Sequence, residues 1–155
     1  PFDKFSTMNK ACVREQEDDG RAYCPRCRSL GIAVEAGPLD THIRPEFRAK
    51  LGDYAWCCNY QYCDVAYFNQ FEVTVAIGEL KSPVYPKDPD APICACFGFT
   101  YDEVAADAQD ETPLRIRDLL AKSKSPAANC RTLAADGRCC MTAVQSLYMR
   151  LRSPA

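Results

Sequence analysis

Tyr54-Ala55-Trp56-Cys57-Cys58-Asn59-Tyr60-Gln61-Tyr62-Cys63-Asp64-Val65-Ala66-Tyr67-Phe68 is the stretch on which the fold turns. Residues 54–57 and 64–68, at its two ends, are rich in aromatic and β-branched side chains and read as strands. Between them, Cys58 and Cys63 close a polar turn. Residues 72–77 (EVTVAI) read as a further strand, so a small antiparallel sheet is expected. Upstream, Cys24-Pro25-Arg26-Cys27 opens residues 24–36, a metal knuckle running into a short strand. Leu39, Ile43, Phe47 and Leu51 then recur every four residues and mark one helix face, which Pro45 breaks or restarts.

Downstream, residues 81–92 (KSPVYPKDPDAP) carry four prolines and read as a connector. Beyond it the pattern turns helical. Tyr101–Ala108 and Pro113–Lys122 are expected helices, with Thr112 as the cap of the second and Pro113 in its first turn. Residues 125–137 read as a loop of small residues, and Cys140–Leu151 as a last helix with Val144, Leu147 and Leu151 on one face. The expected class is α+β: a small antiparallel sheet with a zinc knuckle, followed by a helical half. The expected divisions are a flexible lead-in over 1–20, a metal-binding half over 21–92 and a helical half over 93–155, the two halves forming one compact unit.

The chain has 155 residues, enough for a real core without disulfides. With 19 Lys and Arg against 21 Asp and Glu, its net charge is −2, which excludes a strongly basic nucleic-acid binder. Its 47% hydrophobic and 26% charged residues fit a globular protein. No apolar run has the length of a membrane span. The first residues lack the basic-then-apolar pattern of an export signal.

Cysteine is the anomaly. There are 11, an odd number, and adjacent or near-adjacent pairs (Cys57-Cys58, Cys139-Cys140, Cys94-x-Cys96) bridge one another only under strain. Thiolates converging on metal explain them better. The single histidine, His42, excludes a two-Cys, two-His finger and a Rieske centre. It reads as a helix-surface residue. All-cysteine zinc and all-cysteine iron–sulfur sites remain.

In the first half, Cys24 and Cys27 with Cys58 and Cys63 form the two-plus-two pattern that closes a tetrahedral structural zinc. Cys57 can substitute for Cys58, and Asp64 is the alternative oxygen ligand. In the second half, Cys94-Ala95-Cys96, Cys130 and Cys139-Cys140 supply the thiolates of a [2Fe–2S] cluster, or of a second zinc. Cys139 and Cys140 fall where the last helix begins, and a helix start favours an anionic centre. Gly98 and Gly137 permit close backbone approach. Trp56, Tyr54, Tyr60, Tyr62 and Tyr67 are expected to pack around the zinc-binding half.

Residues 24–150 resemble the N-terminal zinc and [2Fe–2S] domain of the CopZ-type copper chaperones. The resemblance rests on Cys24-Pro25-x-Cys27, Cys58-x4-Cys63-Asp64-Val65-x-Tyr67-Phe68, Cys94-x-Cys96-Phe97-Gly98 and Cys130-x8-Cys139-Cys140. The second half also resembles bacterioferritin-associated ferredoxins. The resemblance implies zinc on Cys24, Cys27, Cys58 and Cys63. It implies a cluster on Cys94, Cys96, Cys130 and Cys140, with Cys139 as the alternate. Two departures stand out. Ala135-Asp136-Gly137 replaces the family's Asn-Pro-Gly, and the M-x-C-x-x-C motif of the copper-carrying domain occurs nowhere in this chain.

The function expected is a one-electron redox module in copper or other metal-ion handling. The alternatives are a thiol-based Cu(I) or metal chaperone or sensor, drawing on Cys12, Cys57 and one of Cys139 or Cys140, and a structural adaptor with both metals as staples. No Ser/His/Asp set, phosphate loop or H-E-x-x-H supports an enzyme. The expected partner is a redox or metal-handling protein such as a copper transporter or chaperone, and the expected compartment is a reducing cytoplasm.

Overall fold

A computed structural model describes residues 20–153. Cys12 and nearly all of the expected lead-in lie outside the described residues. The first half is built on a four-stranded antiparallel sheet in the order of the chain: β1 (Ile32–Val34), β2 (Ala55–Cys57), β3 (Val65–Phe68) and β4 (Thr74–Ala76). Cys57 faces Ile32 on one side and Tyr67 on the other, and a bulge interrupts the β3–β4 pairing between Val65 and Tyr67. All of β3 is buried, as its unbroken apolar sequence requires.

Between β1 and β2 run α1 (Ala36–His42) and α2 (Pro45–Arg48). The apolar repeat is thus split, and Pro45 starts the second helix, where a missing N–H costs nothing. Leu39, Ile43 and Leu51 pack on Val34, Tyr67 and Val75 under the sheet. A second core lies on the other side of the sheet, where Cys24, Cys58 and Cys63 cluster with Val65 and Phe68. Trp56 stacks on Phe68 there, with ring centroids 6.1 Å apart.

The helical half contains α3 (Tyr101–Gln109), α4 (Leu114–Ser123), a single turn α5 (Cys130–Leu133) and α6 (Met141–Arg152). Thr100 and Glu103 close a capping box at the start of α3. Thr112 does not cap α4. Pro113 holds that place, and the cap comes from Asp107 of α3, whose carboxylate accepts from Ile116 N at 2.7 Å and from Arg115 Nη1 at 3.0 Å. A full charge, wholly buried, meets the orphan amides better than the Thr hydroxyl would.

Val104, Ile116, Leu119, Met141, Val144 and Leu147 form the core of this half with Cys94 and Cys140. Leu151, expected on the same face, is exposed, and the buried face of α6 ends at Leu147. The 125–137 stretch is not all loop, since Cys130–Leu133 makes its own helical turn. Among the described residues, no helix is long and apolar enough to cross a membrane.

Candidate metal centres

The first constellation closes as the spacing predicts. The Sγ atoms of Cys24, Cys27, Cys58 and Cys63 lie within 4.8 Å of one another. Cys24 and Cys63 are 3.9 Å apart, and Cys27 and Cys58 are 3.6 Å apart. Four thiolates about 2.3 Å from one ion stand about 3.8 Å apart along the edges of a tetrahedron. The sulfurs therefore already have the spacing that a single tetrahedral ion imposes.

Local backbone creates this arrangement. The Cys24–Ser29 turn is closed by Arg28 N to Cys24 O and Cys24 N to Ser29 O, both at 2.9 Å, with Arg28 in the left-handed region at φ 66°. The second turn is closed by Cys63 N to Tyr60 O, and Val65 N reaches back to Cys63 Sγ at 3.5 Å. From the connector, Lys87 Nζ donates to Cys58 Sγ at 3.3 Å, Tyr60 O at 2.7 Å and Cys63 O at 3.0 Å.

The thiols are electrically inequivalent. Burial pushes Cys27 up, but bonds from Ser29, Cys58 and Cys24 outweigh it and bring its pKa down to about 6. Burial pushes Cys58 up to about 12, with Cys27 reinforcing it. Of this pair Cys27 is the readier thiolate, and holding a cation requires both thiols to give up their protons.

Neither alternate ligand joins this group. Cys57 points to the other face of β2, toward Cys58 O at 3.8 Å, and burial pushes its pKa up to about 12. Asp64 is turned outward and pairs with Arg26 at 3.1 Å. Trp56 and Tyr67 pack in this half as expected. Tyr54, Tyr60 and Tyr62 do not, because they occupy turn and edge positions that face solvent, where Tyr60 and Tyr62 meet edge to face.

The second constellation has a different shape. Cys96 and Cys130 stand 3.7 Å apart, and the Cys94 and Cys140 thiols interact with one another. Yet among the described residues only the first constellation brings three or more ligating groups to mutual contact. The four thiols of the second are thus not all in mutual contact: Cys96 and Cys130 form one close pair, and Cys94 meets Cys140. One tetrahedral ion would draw all four sulfurs to one spacing. A [2Fe–2S] cluster takes one pair on each iron.

Amides also point at these sulfurs. Asn129 N donates to Cys96 Sγ at 3.3 Å. The Cys140 bond, with backbone amides of Phe97, Cys96 and Phe99, brings Cys94 down to about 6 against its burial. Contact with Cys94, then burial, pushes Cys140 well up. Burial, Cys96 and Cys139 push Cys130 up to about 12, against an amide bond from Cys140. Cys140 is the N-cap of α6, whereas Cys139 is exposed. Gly98 at φ 69° allows the turn in which Gly98 N returns to Cys94 O.

Between the two halves lies a cleft of about 330 Å³. His42, Cys57, Asp136, Arg138, Cys139 and Cys140 all line it. Cys57 and Cys139, the described thiols left out of both constellations, share this cleft. His42 is not a surface residue. It is half-buried, and its Nε2 donates to Leu133 O at 2.7 Å. Neither the cleft nor the His42 bond has a local signal, since the partners lie 91 residues apart.

Comparison with known proteins bears on the first constellation and on the fold. Residues 21–81 match a family model of the CopZ type described as a zinc binding domain. Over 119 residues the chain is 25% identical to the copper chaperone CopZ of Archaeoglobus fulgidus, covering 76% of this chain. The chain spans 57% of the length of that relative. The X-ray structure of the Archaeoglobus fulgidus CopZ N-terminal domain superposes with a TM-score of 0.68 at 24% identity, over 81% of this chain and 97% of that one. That likeness is one of fold.

Proposed function

We propose that this chain is a metal-binding module of copper-chaperone type. A zinc ion sits on Cys24, Cys27, Cys58 and Cys63 and staples the sheet. Soft Cu(I) is the cargo, held transiently by the thiols of the inter-half cleft, Cys57 and Cys139. The observation that carries this reading is the placement of both surplus thiols in one cleft, outside the four-sulfur group. Thiolates select Cu(I) over harder ions. The likeness to a copper chaperone supports the same direction. A metal-handling protein with its own exposed thiolates is the partner this chemistry fits, in a reducing cytoplasm.

The test is titration of Cu(I), against a competing chelator, into zinc-loaded protein. One equivalent binds with zinc retained, and the Cys57→Ser, Cys139→Ser double variant loses it. Copper that binds only by displacing zinc overturns the reading.

A second reading, a one-electron module on a [2Fe–2S] cluster, is supported by the two sulfur pairs. Cys94 and Cys140 would hold one iron, and Cys96 and Cys130 the other. The cluster would supply one-electron reduction of a partner or metal ion, while these residues fix its place and donate amides to its sulfurs. Dithionite reduction followed by EPR tests it. Iron-replete protein without an S = 1/2 signal overturns it.

A further inference from the structure

The segment from Cys130 to Cys140 carries two of the four thiols of the second constellation, yet it is held largely by the first half. Four contacts fix it in succession. A Cβ at Gly37 in α1 would stand 3.2 Å from Thr132 Cα, so the two backbones approach closely there and a side chain at 37 would crowd the turn. His42 Nε2 donates to Leu133 O at 2.7 Å. Tyr67 Oη, on the buried strand β3, donates to Ala135 O at 2.5 Å. Pro38 packs at Gly137, whose φ of 70° turns the chain toward Cys139 and Cys140.

Tyr67 is wholly buried, and burial raises its pKa far above physiological pH, so its hydroxyl remains a donor. It pairs across the sheet with Cys57, the neighbour of Cys58, and Cys58 N donates to Ala66 O, next to Tyr67. The ladder that seats the Cys58 thiol therefore also aims the Tyr67 hydroxyl.

We infer that Tyr67 and His42 are positioning residues for the iron–sulfur centre, gripping the 130–140 segment through the Ala135 and Leu133 carbonyls. This rests on the [2Fe–2S] reading of the second constellation. An amide bond to sulfur begins beside this segment, Asn129 N to Cys96 Sγ at 3.3 Å, and the Cys140 amide acts on the Cys130 thiol. Bonds of this kind raise a cluster's reduction potential. A loosened grip lengthens them, lowers the potential and frees Cys130 and Cys140 from iron sooner.

The experiment uses the full chain loaded with iron and zinc. Tyr67→Phe and His42→Leu are compared with the parent by iron release to a chelator, midpoint potential and zinc content. Each lost buried bond, at about 1 kcal/mol, corresponds to about fivefold faster iron release. The potential falls while zinc stays at the parental level. His42→Gln, whose amide nitrogen stands near the place of Nε2, restores both readouts. Hydrogen exchange at residues 131–137 quickens in the two loosened variants. Iron-loaded variants that match the parent in release rate and potential overturn the grip alone. Parent protein that takes up no iron overturns the cluster reading and the grip with it.

Discussion

Replacing Cys63 by alanine tests the four-sulfur centre where it is most exacting. Cys63 is buried, its Sγ lies 3.9 Å from that of Cys24, and it receives Val65 N at 3.5 Å. Structural zinc in small sites contributes about 10–16 kcal/mol, or roughly 2.5–4 kcal/mol per ligand. Losing one ligand should therefore weaken zinc by about two to three orders of magnitude. Stability falls with it, because Cys24, Cys58 and Cys63 are three of the five buried residues of their core cluster. The assay is competition with a chromogenic zinc chelator, with thermal unfolding of the same samples. Cys57→Ala is the control. Its sulfur faces away from the group, so it should keep one tightly bound zinc and lose roughly 1 kcal/mol of stability. A Cys63→Ala protein that holds zinc within threefold of the parent, or a Cys57→Ala protein that loses it, would refute the reasoning.

On the cluster reading proposed above, Cys96→Ala should abolish visible absorption from iron-loaded protein and leave zinc content at one per chain, measured by element analysis and absorbance. Asp107→Asn places an amide donor against Ile116 N or Arg115 and should cost about 1–3 kcal/mol in chemical denaturation, as a buried bond to a charged acceptor is lost. Burial, against the Leu133 bond, holds the pKa of His42 below its ordinary value of 6.5. The unfolded chain then binds a proton that the folded chain refuses, so stability is full above pH 6.5 and declines as pH falls through it. His42→Gln should flatten that part of the decline when unfolding is compared at pH 7.5 and pH 5.5.

Much of the first half was legible because its signals are local. Aromatic and β-branched runs placed β2, β3 and β4 within a residue or two, and the Cys24/Cys27 and Cys58/Cys63 spacings marked the sulfurs that converge. What escaped depends on partners far along the chain. Asp107 caps a helix that local rules gave to Thr112. His42 looked like a surface residue because Leu133, its partner, follows 91 positions later. Tyr54, Tyr60 and Tyr62 were expected to pack because they are aromatic, but position in a turn decides exposure, and aromatic character alone does not. The second sulfur set was visible as a set. Its division into two pairs was not, because that depends on how α5 and the start of α6 approach the Cys94–Cys96 turn.

Lys87 gives the proline-rich strap a role its composition does not advertise. Four thiolates on a divalent ion leave two uncompensated negative charges, and the ammonium that reaches Cys58 Sγ and two knuckle carbonyls cancels part of that excess. Insertion or deletion within the strap would withdraw this counter-charge even with every sulfur intact. The strap is therefore bound in length as well as at Lys87 itself.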